Sequence, residues 1–275
     1  MAEVGSKRRL SRERVARSLA TRAGALKRRF LPSFRRGVED PAVPLSLDME
    51  HDSTTLLIAF GGMQGGLGFP PFEFFKATAG FNIKRMFVRD LRQTWYHQGI
   101  RDGGDNIAEL AVTLQQLIDP HRIDRLVVTG TSAGGYGALV FGSLLGAHTI
   151  IAFAPQTVLE LDILWAMGEL GDHRWDPQVK RMVAKGCLDA RWSDLRRALP
   201  EARQGHTRME LHYDPAMQFD REHSERLAGL DGVVMIPREG GGHNISKDMR
   251  ETGELEPLLR AALVHGAPEE TASGF

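Results

Sequence analysis

Along residues 54–60 (TTLLIAF) apolar side chains follow one another almost without polar interruption. A strand tolerates that only where both faces are covered, as in a parallel sheet. The same signature returns at 83–89, 125–129 and 148–154, and as a weak alternation at 42–48. Between these runs the period changes. In 106–118, Ile107, Leu110, Ala111, Leu114 and Leu117 recur at helical spacing, and Asp105 is placed to cap the helix. Residues 72–80 and 133–145 read as further helices. From 156 to 205 no buried strand is visible. That stretch holds Trp165, Trp175 and Trp192 with helical patterns at 177–184 and 192–198, and reads as a helical insertion. Strand and helix then alternate again at 208–213, 221–230, 232–236 and 245–264. The expectation is an α/β fold, a mostly parallel central sheet with helices on both faces. Its core is 41–155 plus 206–266, with a basic extension at 1–40, a helical lid insertion at 156–205 and a frayed tail at 267–275.

Composition narrows the chemistry. A chain of 275 residues, 42% hydrophobic and 25% charged, can bury a substantial core. Its single cysteine, Cys187, excludes an intramolecular disulfide framework and any multi-cysteine metal site, and reads as an inert thiol. Neither an H-E-x-x-H pattern nor a clustering of histidines supports a metal site. No apolar run approaches the roughly 18 residues needed to span a bilayer, which points to a cytoplasmic protein. Acidic and basic residues balance at 35 each, so the chain is not a globally basic nucleic-acid binder. The balance hides an asymmetry: residues 1–36 carry twelve basic and two acidic side chains, a net +10. Such an arm is Arg-rich and acid-poor like a mitochondrial transit peptide, and lacks the apolar stretch of a secretory signal. Two readings stay open for it, a solvated extension or an electrostatic tether to an acidic partner, a membrane surface or nucleic acid.

The strand at 125–129 runs directly into Gly130-Thr131-Ser132-Ala133-Gly134, and a helix starts at once. G-x-S-x-G acquires meaning in that strand–turn–helix setting. The turn is so tight that a Cβ at either flank would strike backbone, and the serine is held strained. Its hydroxyl is then presented at a helix N-terminus, where the Ala133 N–H is free for a developing oxyanion. A phosphate-binding loop is excluded by the missing Lys-Ser/Thr ending and the absence of G-x-G-x-x-G after the first strand. On GTSAG and the order of the elements, residues 54–264 resemble an α/β-hydrolase.

The resemblance implies a histidine after the last strand. His243, in Glu239-Gly240-Gly241-Gly242-His243-Asn244, stands there. It also implies an acid after the preceding strand, which would orient the imidazole. Asp214, in Tyr213-Asp214-Pro215, is the first choice. Asp220 is the second, since an Asp at a helix start is also a good cap. A second oxyanion donor is expected after the first central strand, at Gly62 or else Met63, although Phe60 stands where the family usually has histidine. Trp95, Tyr96 and Trp165 are candidates to line a substrate pocket, and His97 to be a polar neighbour. Asp90 matches a place where many hydrolases have a loop-fixing aspartate.

The expected activity is a serine hydrolase cleaving an ester or thioester of a small or medium acyl substrate through an acyl-enzyme, with no cofactor. Two alternatives remain: an acyltransferase with the same machinery, or a non-catalytic α/β-hydrolase-like binding or scaffold protein. The sequence leaves the oligomeric state open.

Overall fold

The structure is a computed structural model that describes residues 40, 42–62, 72–168, 176–202 and 206–265. The basic arm, Met63, Trp175 and the tail expected at 267–275 lie outside the described residues.

Seven strands form one sheet: β1 (Leu45–Asp48), β2 (Thr55–Phe60), β3 (Lys84–Val88), β4 (Arg125–Thr131), β5 (Thr149–Phe153), β6 (Arg208–Tyr213) and β7 (Val233–Pro237). The spatial order is β1-β3-β2-β4-β5-β6-β7, with β4 in the centre. Only the edge strand β1 is antiparallel, pairing Leu45 with Val88; every other pairing is parallel. The helices are α1 (Phe72–Ala77), α2 (Ile107–Ile118), α3 (Ala133–Leu144), α4 (Leu161–Ala166), α5 (Asp176–Ala184), α6 (Leu195–Ala202), α7 (Gln218–Glu225), α8 (Ile245–Glu251) and α9 (Leu255–Arg260).

The apolar run of β2 divides by parity. Leu56, Ile58 and Phe60 join the core beneath α2, α3 and α6, whereas Leu57 and Ala59 join a second core with α1, α8 and α9. A strand with both faces buried needs apolar residues at every position, as the sequence has there. Helix α3 is buried along nearly its whole length, from Ala133 to Ser143.

Some elements differ from expectation. The cap of α2 is Asn106, whose Oδ1 accepts the Glu109 N–H, while the Glu109 carboxylate accepts the N–H of Asp105 just before the cap. The expected last helix is interrupted at Gly253 (φ +83°), which separates α8 from α9. Within the stretch expected as a helical insertion at 156–205, the two ends pair with each other. Val158 pairs with Asp194 across an antiparallel bridge, closed by Leu159 N–H on the Ser193 carbonyl and Leu195 N–H on that of Thr157. The chain therefore leaves and returns at one neck. Helix α6 beyond it is core, since Leu195, Ala198, Leu199 and Ala202 form a buried stripe at i, i+3, i+4 and i+7.

Candidate active site

In open α/β sheets ligands bind outside the carboxyl ends of the strands, where the strand order reverses. Here that crevice lies between β2 and β4, and two of the expected residues flank it: Gly62 after β2 and Ser132 after β4.

Ser132 has φ +59° and ψ −122°, a backbone conformation costly for any residue with a side chain. The surrounding structure fixes it. Its N–H donates to the Phe153 carbonyl of β5, and its carbonyl accepts the Tyr136 N–H of α3. The glycines on either side are required by close approach: a Cβ on Gly130 would sit 2.1 Å from the Gly134 oxygen, and one on Gly134 2.3 Å from the Phe60 oxygen. Strand and helix can meet this sharply only without side chains there.

The Ser132 hydroxyl lies 3.0 Å from His243 Nε2, and His243 Nδ1 lies 2.6 Å from Asp220 Oδ1. A carboxylate only accepts, so Nδ1 carries the proton and Nε2 is left to accept the Ser132 O–H. Asp220 is fully buried and the His243 side chain one-quarter exposed. Asp220, the second candidate, thus meets the ring; Asp214, the first, does not. Asp214 accepts two backbone N–H groups instead, from Ala216 at 2.9 Å and from Gly242 at 3.0 Å. Helix α7 begins at Gln218 with Met217 in the cap position, so Asp220 sits inside its first turn rather than capping it. The expected helix start at 221 hid this.

Of the two oxyanion candidates after β2, Gly62 abuts the serine turn: a Cβ on it would lie 3.1 Å from the Thr131 oxygen and 3.9 Å from Ser132 Cβ. The Gly61 N–H is bound to the Val88 carbonyl, so among the described residues Gly62 supplies the first untied N–H after β2. Ala133, as the first residue of α3, has an N–H with no acceptor inside the helix.

The aromatic candidates fall elsewhere. Trp95 and Tyr96 are fully buried and cannot line an open pocket. The Trp95 indole donates to Gln156 Oε1 at 2.6 Å, and the Tyr96 hydroxyl donates to the Gly61 carbonyl at 2.8 Å. Their loop is held by Asp90, whose carboxylate takes the N–H groups of Arg92, Thr94 and Tyr96. Burial pushes the Asp90 carboxyl pKa up, opposed by those N–H groups. Asp90 therefore fixes its own loop. Trp165 on α4 is 71% exposed, while Trp192 is buried in the core. His97 is also a core residue, and burial pushes its pKa down to about 4. Cys187 is half-buried. Among the described residues no group of three or more His, Cys, Asp or Glu could hold a metal ion, and no helix is long and apolar enough to cross a membrane.

Two neighbours that the sequence did not suggest stand near the site. Thr131, just before Ser132, has its hydroxyl 2.8 Å from that of Ser246, three residues after His243. Met217 is exposed, and a Cβ on Gly242 would stand 3.6 Å from it.

Neither a protein-family model nor a curated protein matches the sequence. Solved structures do. A capsule O-acetyltransferase of Neisseria meningitidis serogroup A matches at TM-score 0.58 and 14% identity, covering 78% of this chain and 90% of that one. The 2,6-dihydroxy-pseudo-oxynicotine hydrolase matches at TM-score 0.56 and 14% identity, over 81% and 64% of the two chains. A chain of the Gap123 glycosylation-associated protein complex from Streptococcus agalactiae matches at TM-score 0.55 and 16% identity; the match covers 82% of this chain but only 48% of that one, so this chain spans about half its length. With the seven-stranded, mostly parallel sheet and its flanking helices, these likenesses give the architecture its name: the chain has the α/β-hydrolase fold.

Proposed function

We propose that this protein is a serine-dependent, ester-acting enzyme in which Ser132 is the nucleophile, His243 the general base and acid, and Asp220 the orienting acid. The observation that carries the reading is the continuous hydrogen-bonded line from Ser132 Oγ through both imidazole nitrogens to a fully buried carboxylate. Ser132 Oγ attacks the acyl carbonyl carbon as His243 Nε2 takes its proton. The Asp220 carboxylate holds Nδ1–H and stabilises the imidazolium. The carbonyl oxygen becomes an oxyanion within reach of the Ala133 and Gly62 N–H groups. Collapse of the tetrahedral intermediate expels the alcohol or thiol, protonated by His243, and leaves an acyl-serine. Water then repeats the sequence and releases the acid.

A second reading replaces that water with an acceptor alcohol or amine. It is favoured by the likeness to the capsule O-acetyltransferase over nine-tenths of that enzyme. A scaffold role is less well supported, because binding alone gives no reason to hold Ser132 strained against an imidazole. The test is a panel of short and medium p-nitrophenyl esters and thioesters, with and without an added acceptor alcohol, beside Ser132→Ala. Turnover that Ser132→Ala abolishes supports the reading, and acyl transfer outrunning hydrolysis selects the second form. Wild type inactive on every ester and thioester, or Ser132→Ala as active as wild type, overturns it.

A further inference from the structure

Asp214 is a buried carboxylate, 4% exposed. Burying such a charge is costly unless its oxygens are satisfied, and both are, by backbone N–H groups on two different segments. Oδ1 takes the Ala216 N–H and shapes the turn that leads from β6 into α7, whose first turn carries Asp220. Oδ2 takes the N–H of Gly242, the residue before His243.

That second bond falls where the chain most needs a fixed point. Gly240, Gly241 and Gly242 have φ of +84°, +87° and +54°. Three glycines in succession have a large conformational space to lose. On the far side of His243 the chain is fixed by the Ser246–Thr131 contact. On the near side Gly242 is held by Asp214.

The geometry points to Asp214 as a positioning residue: one carboxylate couples the turn that sets Asp220 to the glycine loop that sets His243, so that acid and base keep register with Ser132. The inference rests on the catalytic reading of these three residues. Asp214 does not touch the ring and acts only through the backbone of both partners. A misplacement of about 1 Å at such a site can cost ~100-fold in rate.

Asp214→Asn keeps the size but leaves one oxygen for two N–H donors. Its kcat and KM on a chromogenic ester, rate of phosphonate labelling, pH–rate profile and thermal midpoint should be measured beside wild type and Asp220→Asn. The expected result is a kcat roughly 10- to 100-fold lower with KM nearly unchanged, and labelling slowed by the same factor. The acid limb of kcat/KM keeps its midpoint, because Asp220 still holds the ring; in Asp220→Asn the limb moves and the loss is about 10⁴-fold. Wild-type kcat in Asp214→Asn refutes the inference, even if its thermal midpoint falls. A shifted acid limb with a loss matching Asp220→Asn also refutes it, by making Asp214 the acid. If Asp214 variants do not fold, amide hydrogen exchange in the wild type decides. The Gly242 N–H should exchange far more slowly than those of Gly240 and Gly241, and equal rates refute the anchor. Wild type that neither turns over esters nor labels removes the catalytic reading itself, a failure separable from loss of the anchor because exchange at Gly242 is read independently.

Discussion

His97 makes stability depend on pH in a way that can be worked out in advance. Its Nδ1 accepts the Asp189 N–H at 3.0 Å, and its Nε2 faces the Tyr136 hydroxyl at 2.9 Å, which in turn donates to the Trp192 carbonyl at 2.6 Å. Protonating Nδ1 would set two N–H groups against each other in a buried site. Burial pushes the pKa from 6.5 down to about 4, outweighing the opposing charge of Asp189. The unfolded chain therefore takes up a proton near pH 6.5 and the folded one only near pH 4. Between those values the unfolded state binds more protons, so stability is fully present above about 6.5 and falls as pH drops towards 4. That lowering from 6.5 to about 4 corresponds to about 3 kcal/mol at most, of which about 2 kcal/mol is lost by pH 5. Urea unfolding of wild type and His97→Gln at pH 7.5 and 5.0 isolates this contribution from that of the other titrating groups. His97→Gln should be less stable at pH 7.5 but lose about 2 kcal/mol less than wild type on going to pH 5.0. Equal losses in the two proteins would refute the reasoning.

Asp220→Asn should reduce kcat by about 10⁴-fold with little change in KM, as steady-state ester hydrolysis would show. Gly134→Ala would put a Cβ 2.3 Å from a backbone oxygen of β2, so a loss of about 3 kcal/mol, visible in the urea midpoint, should accompany loss of activity. Trp95→Phe strands the buried Gln156 oxygen and should cost about 1–3 kcal/mol. Trp165→Ala, by contrast, should stay within about 0.5 kcal/mol of wild type in the same assay. Met217→Ala should alter the preference among alcohol leaving groups more than among acyl groups, because Met217 stands close to Gly242, the residue before the histidine proposed to protonate the leaving group; equal changes in both ester series would contradict that placement.

The serine turn was legible because its constraint is local: backbone within 2.3 Å of a would-be Cβ demands glycine, and glycine is visible in the sequence. The inner strands β2 to β5 were legible for a similar reason, since burial on both faces leaves no room for alternation. The choice of carboxylate was not. Whether Asp220 caps α7 or points inward from its first turn depends on where that helix starts, and Met217 gives no capping signal. Trp95 and Tyr96 also escaped the reading. They adopt φ of +50° and +65°, unusual for aromatic residues, because Asp90 collects the loop's N–H groups around one carboxylate. No short pattern announces such a loop. The stripe Leu195, Ala198, Leu199 and Ala202 was present in the sequence, but the expectation of a lid over 156–205 absorbed it, although α6 packs as core.

The central claim is that Ser132 is a hydroxyl made reactive by His243, and covalent trapping tests it most directly. Wild type, Ser132→Ala and His243→Ala would be incubated with an alkyl fluorophosphonate, weighed intact, and digested to locate the adduct. The account predicts one adduct on wild type, carried by the peptide containing Ser132. It predicts none on Ser132→Ala and labelling slowed by several orders of magnitude on His243→Ala. An unlabelled wild type, or an adduct mapping to a different residue, would contradict it.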